Sequence, residues 1–116
     1  MEFDLKSERN PDGVAIIEVS GELDLYTAPR LKEALLGALD DGSLKIMVDM
    51  SGVHFIDSSA LGVLIGGVKR LKPKSGKLVL VSVDENVNWI FQITGLNSVF
   101  DIFPSKEEAL AGLAET

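Results

Sequence analysis

A chain of 116 residues with 46% hydrophobic content has the size and composition of one ordinary globular domain, long enough to bury a core. Its 18 acidic residues against 11 basic ones give a net charge of −7, which argues against sequence-independent nucleic-acid binding, where clustered Lys and Arg must displace counterions. With no cysteine, disulfides, zinc–thiolate sites and thiol catalysis are excluded.

The amino terminus, Met1-Glu2-Phe3-Asp4-Leu5-Lys6, has neither the basic start nor the apolar run of a signal peptide. The longest apolar-rich stretch, around residues 60–68, is too short and too glycine-rich to span a bilayer, so no membrane is expected and the cytoplasm is the expected compartment. Residues 3–9 alternate apolar and polar side chains, as a half-exposed strand does. Asn10-Pro11-Asp12-Gly13 is a strong turn, and residues 14–19 follow as a second strand, so the two form a hairpin. Gly21-Glu22-Leu23-Asp24 then leaves the sheet. Thr27-Ala28-Pro29 opens a helix, with Thr27 as the cap, Leu31, Leu35, Ala38 and Leu39 at helical spacing, and Asp40-Asp41-Gly42 as its end. Residues 45–50 are a compact apolar run that suits a central strand buried on both faces. After a short crossing, a helix runs from Ser58 to about Leu71, where Pro73 stops it. Residues 77–83 are another buried strand, and Asp84 caps a helix over residues 85–94 that ends at Gly95. Residues 101–103 form a short last strand, and Ser105 with Glu108 has the spacing of a capping box on a final helix.

This order predicts a single α/β domain over residues 1–116: a mixed four- to five-stranded sheet with an antiparallel edge hairpin, right-handed crossovers and about four helices. Within it, Asp57-Ser58-Ser59 places hydroxyls at the start of a helix, where side-chain oxygens accept free amide hydrogens and an added anion is favoured. At 100° per residue, Leu61, Leu64, Val68 and Leu71 form the core stripe of that helix. Ser58 shares the opposite face with Gly62, Ile65, Gly66 and Lys69. Gly62 and Gly66 each cost about 1 kcal/mol relative to Ala. Two explanations stand open: close packing within the chain, or a flat surface around Ser58, exposing Ile65, where another protein approaches.

The stretch from Met47 through Asp49-Met50-Ser51-Gly52-Val53-His54-Phe55-Ile56-Asp57-Ser58-Ser59-Ala60-Leu61-Gly62 resembles the anti-sigma factor antagonists, which are built on the STAS fold. Gly21-Glu22-Leu23-Asp24 resembles a second motif of that family, and Thr94-Gly95-Leu96 also fits; Ala60 departs from the Gly common there. The resemblance implies a partner switch controlled by phosphorylation. Ser58 would be phosphorylated by an anti-sigma factor that is itself a serine/threonine kinase, and a metal-dependent serine phosphatase would remove the phosphate. Unphosphorylated, the chain would bind the anti-sigma factor and release a sigma factor for transcription. By the same resemblance Asp24 sits in a loop beside Ser58; together with Asp57, Ser59, Gly62 and Ile65 it would form the docking surface, with Ser59 the second-choice phosphoacceptor.

Other functions fit the residues less well. A serine hydrolase needs a base, an orienting acid and an oxyanion site; the nucleophile-elbow pattern is missing, and His54 is the one histidine. No glycine loop leads into a P-loop lysine, so a nucleotide site is not expected. Asp24, Asp49 and Asp57 could approach one another, but carboxylates at strand ends are commonly caps or solvated, and neither a metal nor a cofactor is expected. The same fold serving as a scaffold in stress signalling, or as an accessory subunit in lipid transport, is the alternative. Trp89 is expected to pack on the sheet rather than face a partner.

Overall fold

In the computed structural model, which describes residues 2–115, the antiparallel hairpin forms as expected: β1 (Asp4–Arg9) pairs with β2 (Ala15–Leu23), running from Asp4 opposite Ser20 to Arg9 opposite Ala15. The turn between them is built on Asn10, whose side-chain oxygen accepts the amides of Asp12 and Val14 at 3.0 and 2.9 Å. Then follow α1 (Ala28–Asp40), β3 (Lys45–Ile56), α2 (Ser58–Leu71), β4 (Lys77–Val81), α3 (Glu85–Ile93), β5 (Asp101–Phe103) and α4 (Lys106–Ala114). The sheet order is β1-β2-β3-β4-β5, and every pair after the hairpin is parallel.

Helices α1, α2 and α3 bury Leu31, Leu35, Leu61, Leu64, Leu71, Val87 and Phe91 in the larger core, against one set of alternating strand residues. Helix α4 alone closes the smaller core, where Ala109 and Leu113 meet Val14, Ile16, Met47, Val79 and Val81. Phe91 meets Phe100 edge to face, ring centroids 5.7 Å apart.

Two strands run further than their apolar runs suggest. Residues 51–56, expected as a crossing, are strand, and so are Gly21, Glu22 and Leu23, expected to have left the sheet. Polar and exposed side chains hide both extensions from periodicity, because β3 carries one extra residue opposite Glu18 to Ser20 and another opposite Gly21 to Glu22. Gly21 is required at this bend. Its φ is +98°, and a Cβ there would stand 2.7 Å from the carbonyl oxygen of Glu2. In contrast, β4 ends at Val81, two residues early, since Ser82 and Val83 lead into the Asp84 cap.

Caps also differ in detail. Thr27 makes no side-chain cap on α1; its hydroxyl donates to the carbonyl of Glu22 at 2.7 Å and accepts the amide of Asp24 at 2.9 Å, fixing the turn that precedes the helix. Pro73 does not end α2 abruptly, since Lys72–Lys74 continue as one tighter turn. Ser105 caps α4 by accepting the Glu108 amide at 3.2 Å, while Glu108 bonds back to the Ser105 hydroxyl rather than to its amide.

Candidate functional site

Parallel pairing of β2 with β3 decides what meets Ser58. Leu23 lies opposite Ile56, and the Asp57 amide donates to the Leu23 carbonyl at 3.0 Å, so Asp24 and Asp57 emerge side by side at the carboxyl edge of the sheet. Each carboxylate then organises the next element. Asp24 Oδ1 accepts the amides of Tyr26 and Thr27 at 2.9 and 3.0 Å, closing the turn into α1. Asp57 Oδ1 accepts the amides of Ser59 and Ala60 at 2.9 and 3.2 Å and so caps α2.

Ser58 is the first residue of α2 and exposed, and its hydroxyl has no hydrogen-bond partner among the described residues. Asp57 takes two of the first-turn amides of α2, those of Ser59 and Ala60. Ser59 is half-buried, and its hydroxyl likewise lacks a partner among the described residues. Gly62 is exposed. Ile65 is less available than expected: it is half-buried and packs against the larger core. Val68, expected in the core stripe, packs against the larger core but is half-buried, and Ala60 and Gly67 are buried on the same side.

The two explanations of the helical glycines separate here. A Cβ on Gly62 or on Gly66 would meet nothing within 4 Å, so neither glycine is needed for packing inside the chain. Gly67 is the one packed closely: its Cβ would stand 3.1 Å from Leu78 Cδ1.

Sequence reasoning missed three apolar residues at this edge. Tyr26 is 86% and Leu25 64% exposed on the turn that Asp24 closes, and Phe55, opposite Glu22 in the register, is also exposed. Two bulky side chains in the short gap between the Gly21-to-Asp24 motif and Pro29 were the available signal. Trp89, expected on the sheet, is 59% exposed on α3.

His54 sits on β3 at the second extra residue, not on a crossing. Its Nδ1 lies 3.4 Å from Asp84 Oδ1. Asp84 also accepts the Val87 amide at 3.0 Å as the cap of α3; that bond, with help from His54, holds its carboxyl below the usual range. Neither serine hydroxyl of α2 has a base within hydrogen-bond distance among the described residues. Asp49 is buried on β3, where it accepts the amide and hydroxyl of Ser51 at 3.0 and 2.7 Å. Among the described residues no group of three His, Cys, Asp or Glu could hold a metal ion, and no helix is long and apolar enough to cross a membrane.

The STAS domain family model matches residues 7–109. The anti-sigma-B factor antagonist of Listeria monocytogenes is 37% identical over 95 residues, which cover 82% of this chain and 82% of that protein. That of Staphylococcus aureus is 35% identical over 86 residues, covering 74% of this chain and 80% of the relative. Among solved structures, an anti-sigma factor antagonist from Mycobacterium paratuberculosis superposes with a TM-score of 0.88 at 28% identity, over 97% of this chain and 95% of its own.

Proposed function

The chain belongs to the STAS domain family of anti-sigma factor antagonists, and from that premise we propose that it is a cytoplasmic, non-enzymatic binding module switched by phosphorylation of Ser58. The position of the Ser58 hydroxyl carries this reading: it is exposed at the first residue of α2 and bonded to nothing among the described residues, while Asp57 does the capping. A group with no structural task can be modified without unfolding the helix.

The partner is an anti-sigma factor with serine/threonine kinase activity. Ser58 Oγ attacks the γ-phosphorus of the ATP held by the kinase, the bond to ADP breaks, and the hydroxyl proton passes to the base of the kinase. A metal-dependent serine phosphatase returns the alcohol by hydrolysis. The docking surface comprises Asp24, Asp57, Ser59 and Gly62, the accessible part of Ile65, and the exposed Leu25, Tyr26 and Phe55. It sets exposed apolar side chains beside two carboxylates around Ser58, and Gly62 leaves the backbone of α2 uncovered.

The sign of the switch follows from charge. A phosphate adds about −1.5 to −2 charges beside Asp57, whose neighbour along the sheet edge is Asp24. A partner surface matched to a neutral alcohol must then desolvate a dianion. Mispairing a buried charge costs about 2–5 kcal/mol, or roughly 30- to several-thousand-fold in affinity. Phosphorylation therefore releases the anti-sigma factor, which is then free to hold its sigma factor.

Incubation with serine-kinase anti-sigma factors and ATP, followed by mass mapping, tests this. Label on Ser58, lost in Ser58→Ala, is the expected result. Label on Ser59 alone would move the switch by one residue, and no label with any such kinase would end the reading.

A further inference from the structure

One feature that the Ser58 surface leaves unexplained is a groove of about 300 Å³ between α1 and α2. Leu35, Leu36 and Leu39 form one wall, Val63 belongs to the other, and Gly62 and Gly66 leave its α2 side without side chains. From Ser59 to Arg70, the α2 residues at its two ends, the helix rises about 16 Å, or three turns, at 1.5 Å per residue. Its volume is at the lower end of the 300–1,000 Å³ usual for drug-sized ligands, which suits a row of side chains better than an enclosed small molecule.

Charge identifies the occupant. The only charged residues lining the groove are cations, Lys32 and Arg70, in a chain of net charge −7. Beyond Arg70 the surface stays basic through Lys69, Lys72 and Lys74, so four of the 11 basic residues are gathered at one end of α2. All four are exposed, and none is in an ion pair among the described residues.

We propose that the α1–α2 groove is a second docking site, which takes an acidic amphipathic helix of a partner protein. Apolar residues at i, i+3, i+4 and i+7 of that helix lie along Leu36, Leu39 and Val63, over the buried Leu35, as in other helix-in-groove complexes. Gly62 and Gly66, four residues apart, let the two backbones approach closely, which accounts for two glycines that packing inside the chain does not require. Carboxylates of the partner helix pair with Lys32 at one end and with Arg70 and the lysines beyond it at the other. The groove shares Ser59 and Gly62 with the Ser58 surface, but its charge has the opposite sign, so the two sites select different chemistry.

The test uses the full chain, 15N-labelled, titrated with a synthetic helical peptide of about four turns that has a leucine face flanked by glutamates. A control peptide carries lysine at every glutamate position. The acidic peptide is expected to shift the amides of Gly62, Val63 and Gly66, and the control is not. Arg70→Glu should weaken binding at least about tenfold. Gly66→Leu should abolish it by filling the groove while circular dichroism shows an intact fold. Ser58→Asp should bind the peptide as the unmodified chain does, so failure here leaves the phosphorylation switch standing. Equal binding of both peptides, or unmoved groove amides, would overturn the proposal. So would concentration-dependent dimerisation that Gly66→Leu abolishes, which would make a second copy the occupant, or displacement of the acidic peptide by decanoate at stoichiometric concentration.

Discussion

Asp57 and Ser58 divide two tasks that neighbouring residues often share. Asp57 holds the end of α2 through two amides, so Asp57→Ala should cost about 1 kcal/mol, measured by urea unfolding. Ser58→Ala should leave stability within about 0.5 kcal/mol, because its hydroxyl bonds to nothing among the described residues. Asp84 offers a separate check through pH. Its folded carboxyl lies below the usual range, chiefly through the Val87 amide, so its contribution is present above that range and is lost as pH falls through the folded value. Asp84→Asn should therefore flatten the loss of stability below about pH 4, and an unchanged acid limb would contradict the cap. Much of this scale was legible in the sequence: Asp57 before Ser58, Asp84 before α3 and Ser105 before α4 each stand where a cap belongs. The His54 contact to Asp84 was not, because it joins residues 30 apart through a bulge that no local pattern announces.

At the scale of elements, α2 makes the sharpest test, since its three glycines sit in two environments, Gly62 and Gly66 open and Gly67 packed. Gly66→Ala places a methyl in open space and removes a flexible helical residue, so it should stabilise by up to about 1 kcal/mol. Gly67→Ala gains the same propensity but presses on Leu78 at 3.1 Å and should show no net gain in thermal unfolding. Equal stabilisation by both would contradict the placement of α2 on the sheet. The helical period located this helix and its core side, although Val68 packs on that core only half-buried while Gly67 is buried against Leu78. An arithmetic of angles ranks faces by direction and cannot see which backbone comes closest. Strand ends were harder still. Periodicity stops where side chains turn polar, while β2 and β3 continue to pair through their bulges and so carry Asp24 to Asp57. That meeting, the core of the candidate site, depends on register, which the residues of neither strand state alone.

For the molecule as a whole, charge is unevenly placed. The carboxyl edge of the sheet gathers Asp24, Asp57 and Asp84, while four basic residues cluster at the far end of α2. The lone helix on the second face is tied across the sheet by Lys106, which bonds Glu18 at 2.9 Å; that bond holds the ammonium above its usual range. Its contribution is present at neutral pH and lost as pH rises through the folded value, so Lys106→Met should remove the alkaline limb of the stability curve above about pH 10. Both partners are more than a third exposed, and the effect should not exceed about 1 kcal/mol. The most direct measurement of the switch itself is the affinity of the anti-sigma factor for the chain before and after complete phosphorylation of Ser58, at physiological salt, with circular dichroism on both forms. A fall of at least about 30-fold with the fold unchanged is predicted. Affinities within about threefold of each other would contradict it, because a dianion at the centre of the docking surface cannot pass unnoticed by a partner that buries it.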